Sequence, residues 1–412
     1  MLQDPLSDVL RSVRLRGAIF YYVSFRGDWV GETPDSAMLA HALMPGAEHV
    51  LAYHLFVRGD GWAATQGEPP VRVSGGEIVM FPRGDAHVLS SAPGMRARPD
   101  NSDWRLTTRD DPKPIPVAYL DGVLRPGDLI PAEEATTVVV CGFVACDLRP
   151  FNPLISALPR VLHLGSGGVG AWVAPILDQA VAESRSSRAG SAALLDRVSE
   201  MVFVDAARRH LESLPEGGSG WLAALRDRHV GKAIGLLHAR PAEPWTLDDL
   251  GRQVGLSRSA LHERFSSLVG QPPMQYLAQW RIQLAAGLLR EGNAIVADIA
   301  QQVGYDSEAA FGRAFKRVVG QPPAAWRRMH RAPRSGETSS RHSAGSGPSE
   351  ASIILRRNAS RADSMSPEAA AFHLVPGPRA GDRHMPNATG RFRSRAVGVM
   401  PVSCLKLRVM WL

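Results

Sequence analysis

Two stretches of this chain are copies of one another, and few folds accommodate that. Residues 246–273 read TLDDLGRQVGLSRSALHERFSSLVGQPP, and residues 295–323 read IVADIAQQVGYDSEAAFGRAFKRVVGQPP. Leu250, Val254 and Gly255 recur as Ile299, Val303 and Gly304, 49 positions on. Leu261, Phe265 and Val269 recur 50 positions on, as Phe311, Phe315 and Val319, and GQPP follows in both copies. The second copy therefore has one extra residue just after its glycine. Each copy has a short amphipathic helix, a glycine that permits a sharp reversal, and a second helix opened by Ser257 or Ser307 as N-cap. That is the layout of a helix-turn-helix. Leu250 and Val254, or Ile299 and Val303, pack on Leu261 and Phe265, or Phe311 and Phe315. The outer face of the second helix is left to enter a major groove.

Between the copies lies MQYLAQWRIQLAAGLLR, residues 274–290, with Tyr276, Leu277, Trp280, Leu284, Leu288 and Leu289 at helical spacing and Gly292 as a stop. One long helix here would fix the distance between two reading heads. The stretches WTLDDLGRQVGLSRSALHERF, YLAQWRIQLAAGLL and the second copy, beginning at Trp245, Tyr276 and Ile295, resemble the DNA-binding domain of the AraC/XylS family of transcriptional regulators. The likeness runs over residues 221–330, about a quarter of the chain. It implies an all-α double helix-turn-helix, double-stranded DNA and RNA polymerase as partners, and a cytoplasmic transcription regulator, activator or repressor.

In such a unit the exposed N-terminal part of the second helix reads bases, and basic residues elsewhere hold phosphates. That nominates Arg258, Ser259, His262 and Glu263 in the first copy, and Glu308, Ala309, Gly312 and Arg313 in the second. Arg258 and Arg313 could pair with guanine O6 and N7, and Glu263 could accept from cytosine N4. Ala309 and Gly312 offer little hydrogen bonding, so the second unit is expected to read less sequence. Arg264, Lys316, Arg317, Arg327 and Arg328 are the phosphate candidates.

The first 150 residues are β-rich. Apolar or alternating runs recur at 18–25, 50–57, 71–73, 78–81, 117–120 and 136–144, separated by turn formers, which points to a sandwich or barrel. Residues 76–87, GEIVMFPRGDAH, have the form G-x5-P-x-G-x2-H and resemble the second motif of cupin barrels. Residues 141–164 resemble the barrel end of cupin-type AraC regulators, which use the barrel to hold a small effector and to dimerise. A small-molecule effector inside the barrel and a homodimer are therefore further expected partners, with the effector's identity and its binding residues unknown.

Enzymatic cupins hold a metal through an H-x-H…E cluster and the later histidine. Here His49 and His54 are five apart and no Glu follows before Gly59, so only His87 stands in the metal-ligand frame. Divalent metals want three or four ligands, so neither a metal nor another cofactor is expected, and His87 is read as a hydrogen-bonded strand residue. No catalytic set emerges either. The alternative, a metal-dependent cupin enzyme fused to a DNA-binding module, would require that metal; a non-specific architectural protein would require indifference to sequence. Gly165 to Gly170 satisfies G-x-G-x-x-G but lacks a surrounding βαβ unit, and Cys141-x4-Cys146 lacks a partnering pair; a loop and buried strand residues are expected instead.

The net charge of +7 is unevenly spread: −6 over residues 1–224, +5 over 225–330 and +8 over 331–412. An acidic front and a basic back suit a sensing part joined to a polyanion-binding part. No run approaches the ~18–20 apolar residues of a membrane span, so no membrane partner is expected. Three cysteines fit a reducing compartment, and the polar N-terminus does not resemble a secretory signal. The expected class is a multidomain α+β protein. Its divisions are a cupin-like effector domain at 1–170, a helical linker at 171–219 with a dimerising role, a double helix-turn-helix at 220–330, and a disordered basic tail at 331–412. Helices are expected at 174–184, 192–211 and 220–239, and a mobile loop at 94–114.

Overall fold

The structure is a computed structural model and describes residues 4–97, 114–165, 172, 175–176, 190–215 and 217–330. The chain opens with α1 (Pro5–Ser12), capped by the Asp4 carboxylate, which accepts from Ser7 N at 3.1 Å. There follow β1 (Arg16–Phe25), β2 (Val30–Thr33), α2 (Ser36–Leu43), β3 (His49–Arg58), β4 (Asp60–Thr65), β5 (Val71–Ser74), β6 (Ile78–Phe81) and β7 (His87–Ser90). Then come β8 (Ile115–Leu120), β9 (Val123–Pro126), β10 (Thr137–Cys146), α3 (Pro153–Ala157) and β11 (Leu162–Leu164).

All six expected runs are strands. β2, β4, β7 and β9 were not among them, because sequences such as VGET and DGWAAT show too little apolar alternation to stand out. A seven-stranded sheet has the order β11-β6-β3-β10-β1-β8-β9, and a four-stranded sheet the order β2-β7-β4-β5. Only β1 and β8 pair in parallel among the pairings described.

The two faces of the large sheet bury different things. Val50, Ala52 and Phe56 of β3, with Val139, Cys141 and Phe143 of β10, join Phe25, Trp29, Phe81 and Leu89 in a core shared with the small sheet. Leu51, Tyr53 and Leu55, with Val140 and Val144, face helices instead. Burial on both faces is why β3 and β10 read as continuous apolar runs.

The helix α4 (Ser191–Ser213) lies against β1, with Val198, Val202 and Phe203 buried. Tyr53 crosses the sheet to meet it: its hydroxyl is 2.8 Å from Ser199 Oγ. Gly142 stands opposite Tyr53 on β10, and a Cβ there would lie 2.2 Å from the ring, so only glycine lets the tyrosine through. The expected helix at 192–211 is thus present and packed on the sheet. All but residues 175–176 of the expected helix at 174–184, the loop beyond residue 97, most of the Gly165–Gly170 motif and the tail from 331 lie outside the described residues.

The C-terminal part is helical: α5 (Trp221–Arg226), α6 (Val230–Ala239), α7 (Leu247–Val254), α8 (Arg258–Val269), α9 (Pro273–Glu291), α10 (Val296–Gln302), α11 (Glu308–Val319) and α12 (Pro323–His330). The segment 220–239, expected as one helix, is two. Asp227 breaks it with extended backbone (ψ 126°), and its carboxylate accepts from the amides of His229 and Val230 at 3.0 and 2.9 Å. A capping side chain that restarts the helix outweighs the continuous apolar stripe.

The two helix-turn-helix units are anchored differently. The first unit's core, Leu250, Val254, Leu261 and Phe265, belongs to the same buried cluster as Leu51, Tyr53 and Val202 of the β-rich part. The second unit has a cluster of its own, in which Ile299, Val303, Phe311, Phe315 and Trp326 pack on Ile282 and Leu289 of α9.

Candidate nucleic-acid interface

Both turns are built as their glycines require. Gly255 has φ +78° and Gly304 has φ +87°, the left-handed region that strains any residue with a Cβ. Only Leu256 separates Gly255 from the N-cap Ser257, whereas Tyr305 and Asp306 separate Gly304 from Ser307. That is the extra residue of the second copy. Ser257 Oγ accepts from Ala260 N at 3.3 Å, and Ser307 Oγ from Ala310 N at 3.2 Å. Leu261, Phe265, Phe311 and Phe315 are fully buried, which turns the opposite faces of α8 and α11 outward.

On α8 the outward side chains are Arg258, Ser259, His262, Glu263 and Arg264, all exposed. On α11 they are Glu308, Ala309, Arg313, Lys316 and Arg317, with Gly312 half-buried. Their local settings differ. Arg258 NH1 lies 3.5 Å from Asp248 of α7, a contact at the limit of hydrogen bonding. Arg264 is tied down: its Nε donates to Asp227 Oδ2 at 2.9 Å and its NH2 to the same oxygen at 2.5 Å. Arg264 thus staples α8 to the α5–α6 break. Arg327, half-buried on α12, donates to Ala294 O at 2.6 Å, while Arg328 is exposed.

The connector α9 carries polar residues that the sequence reading did not single out. Arg281 donates to three backbone carbonyls, Pro241 O at 2.7 Å, Glu243 O at 2.8 Å and Gly304 O at 2.9 Å. One guanidinium therefore holds the loop that leads into α7 and the turn of the second unit. Gln283 accepts from Phe151 N and donates to Ser12 O, both at 2.9 Å, joining α9 to the β-rich part. Arg290 NH1 donates to Asp147 Oδ2 at 2.7 Å, and Arg14 grips the same carboxylate through Nε and NH2. Polar residues inside an otherwise apolar helical stripe are the signal that could have marked them.

A further chain runs out from the first unit. Trp221 Nε1 donates to the Tyr276 hydroxyl at 2.9 Å, which donates in turn to His238 Nε2 at 2.8 Å. That leaves the proton on Nδ1 of His238, facing Asp8 Oδ2 of α1 at 3.4 Å. The His238 ring stacks on Trp280 with centroids 3.9 Å apart.

In the β-rich part, His87 meets a partner that spacing alone did not reveal. His87 Nδ1 donates to Asp85 O at 2.9 Å, so its Nε2 accepts, at 2.7 Å, from His54 Nε2. His54 Nδ1 must then accept, and the Cys141 thiol lies 3.2 Å from it. Every member of this row is neutral. Burial lowers His87 to about 4 and pushes Cys141 up to about 12, and burial with the neighbouring His87 depresses His54. These residues do not suit the metal of enzymatic cupins, because the two facing nitrogens share a hydrogen bond instead of presenting two lone pairs to one ion. Among the described residues no three His, Cys, Asp or Glu side chains gather as a metal-binding group.

Comparison with known proteins matches the β-rich and the helical parts to different families. A cupin family model matches residues 4–212, and a helix-turn-helix domain model matches residues 250–329. An AraC-like transcription regulator of Streptomyces lividans is 32% identical over 336 residues, which is 79% of this chain and 98% of that protein. A second AraC-like transcription regulator, from Streptomyces antibioticus, is 30% identical, with the same coverage of both chains. The HTH-type transcriptional regulator AlkR of Acinetobacter baylyi is 29% identical, over 79% of this chain and 99% of its own length.

Proposed function

The chain belongs to the AraC family of transcription regulators, and from that premise we propose that α8 and α11 read two separate stretches of one DNA duplex. The observation that carries this is the pair of outward faces, Arg258–Ser259–His262–Glu263 and Glu308–Ala309–Gly312–Arg313, set on one connector by the three bonds of Arg281. Arg258 and Arg313 are assigned to guanine and Glu263 to cytosine. Lys316 and Arg317, exposed on the last turn of α11, are assigned to phosphates with Arg328, and Arg264 to a structural role beside its phosphate contact. The 19 residues of α9 span about 28 Å at a rise of about 1.5 Å per residue, a scale that suits successive major grooves on one side of the duplex.

In this reading the cupin domain binds a small effector and does no catalysis. His87, the one histidine in the metal-ligand frame of enzymatic cupins, shares a hydrogen bond with His54. The effector domain then acts on DNA binding through α9, which Gln283 and Arg290 fasten to it. RNA polymerase is the downstream partner, in the cytoplasm, and a homodimer through the effector domain would pair two such readers on one promoter. Fluorescence anisotropy with a site selected from random DNA tests the core of the proposal. The selected site is expected to bind at least about a thousandfold more tightly than random duplex at physiological salt. Near-equal affinities would mean a non-specific architectural protein.

A further inference from the structure

The two helix-turn-helix units divide the connector between them. Tyr276, Leu277 and Trp280 of α9 belong to the first unit's core, and Ile282, Ala285, Ala286 and Leu289 to the second's. Apolar burial is non-directional, so two separate cores on one helix leave the angle between the units loosely set. Arg281 stands at the changeover, half-buried, between Trp280 and Ile282.

Its three described bonds reach backbone carbonyls on both sides. Nε and NH2 hold Pro241 O and Glu243 O, in the bend that leads into α7, and NH1 holds Gly304 O, in the second turn. Each side is stiff where it is held. In the bend, Trp245 Nε1 donates to Arg240 O at 2.9 Å. The Arg240 guanidinium lies 4.8 Å from the Trp245 ring centroid, and its NH2 donates to Gln253 of α7 at 3.0 Å. In the turn, Tyr305 N donates to Ala300 O at 2.9 Å, and its ring lies 5.5 Å from that of Phe311 on α11 and 5.7 Å from the Arg281 guanidinium. Glu243 and Gly304 each come three residues before an N-cap, Thr246 of α7 and Ser307 of α11. The docking is one-sided. A Cβ on Gly304 would lie 2.7 Å from Ala242 Cα, so the bend of the first unit rests directly on the turn of the second, whereas a Cβ on Gly255 meets nothing within 4 Å.

We propose that Arg281 is the positioning residue that sets the spacing at which the two units accept DNA half-sites, a role that rests on two heads reading one duplex. It does so by locking the entry of α7 to the entry of α11. Moving one half-site by a base pair shifts it by about 3.4 Å along the duplex and by about a tenth of a turn around it. A locked pair of heads cannot follow that shift, whereas a pair joined through α9 and its apolar cores alone can. Lysine is no substitute, because a compact ammonium cannot span three carbonyls as the planar guanidinium fork does.

Fluorescence anisotropy on the full chain tests this, with the selected site and the same site lengthened or shortened by one base pair between its halves. The wild type is expected to lose at least about tenfold in affinity on either change, and Arg281→Met less than about threefold, with the base preference of each half retained. Arg281→Lys should fall between the two, and takes the place of Arg281→Met should that variant not fold. A second measurement needs no DNA. Spin labels at Ser259→Cys and Ala309→Cys, in a chain carrying Cys404→Ser so that the other cysteines are the buried Cys141 and Cys146, report the distance between the reading helices. Its distribution should be narrow with Arg281 present and broader in the variant. A folded variant that keeps the full spacing penalty, or an unbroadened distribution, overturns the proposal. Loss of base preference in one half overturns it too, because Arg281 would then be holding a single unit together. A wild type that recovers no bipartite site contradicts the two-headed reading, and the spacing role falls with it.

Discussion

Arg290 of the connector helix and Asp147 at the end of β10 meet at 2.7 Å, with their side chains 5% and 10% exposed. The pair joins the cupin domain to the helix between the two helix-turn-helix units. Its two ends are not equivalent, because Asp147 has a second partner in Arg14 at 2.9 Å whereas the bonds described for Arg290 reach Asp147 alone.

Removing the carboxylate leaves a buried guanidinium with no counter-charge. Asp147→Asn is therefore expected to destabilise the protein by about 3 kcal/mol in urea unfolding. Arg290→Met leaves Asp147 paired with Arg14 and is expected to cost less than about 1 kcal/mol. Equal losses in the two variants would show that the pair does not work as described.

The two turn glycines also part company. A Cβ on Gly255 meets nothing within 4 Å, so Gly255→Ala should cost only the left-handed backbone, about 1–2 kcal/mol. A Cβ on Gly304 would lie 2.7 Å from Ala242 Cα and from its carbonyl oxygen, so Gly304→Ala should cost clearly more. Hydrogen exchange would place that loss in α10 and α11, whose core is separate from the first unit's. Equal costs at both glycines would contradict the packing of the loop at Ala242 on the second turn.

The buried histidines set a pH dependence. His87 takes its proton near 4 when folded and near its ordinary value of about 6.5 when unfolded, so the unfolded chain binds protons preferentially between those values. Stability should be full above about pH 6.5 and fall as pH drops toward 4, by about 1.4 kcal/mol per pH unit for each such histidine. His54, depressed by the same burial, adds to the slope. Urea titrations at pH 6 and pH 5 should show a shallower slope in His87→Gln, whose amide oxygen still accepts from His54. An unchanged slope would mean that His87 is not buried neutral.

Arg264 and Lys316 both looked like phosphate contacts, yet their surroundings separate them. Lys316→Ala should lower the salt slope of DNA binding by about one while leaving stability nearly unchanged. Arg264→Ala removes the staple to Asp227 and should lower thermal stability instead, with a smaller effect on the slope. The reverse assignment would follow if Arg264 carried the larger salt effect.

What the sequence disclosed tracks how local its physics is. The paired turns were legible because each rests on neighbours in the chain: a glycine, a serine cap and apolar residues four apart. The six apolar strand runs were legible for the same reason. The meeting of His54, His87 and Cys141 was not, because it depends on the register of β3 against β10 and on a strand of four residues, β7. Arg281 and Gln283 were passed over because an apolar stripe dominates α9, and their partners lie 23 to 271 residues away. The break at Asp227 was hidden by apolar residues that continue across it.

The central claim is that one chain reads DNA with two heads. Binding-site selection from random duplex, run on the wild type, Arg258→Ala and Arg313→Ala, tests it most directly. The wild type should recover a bipartite motif with its halves about one helical turn apart. Each variant should lose preference in a different half, at a cost of about 1–3 kcal/mol for a bidentate guanine contact. If both variants lose the same base pairs, or neither alters the recovered motif, the assignment of α8 and α11 as two reading heads is contradicted.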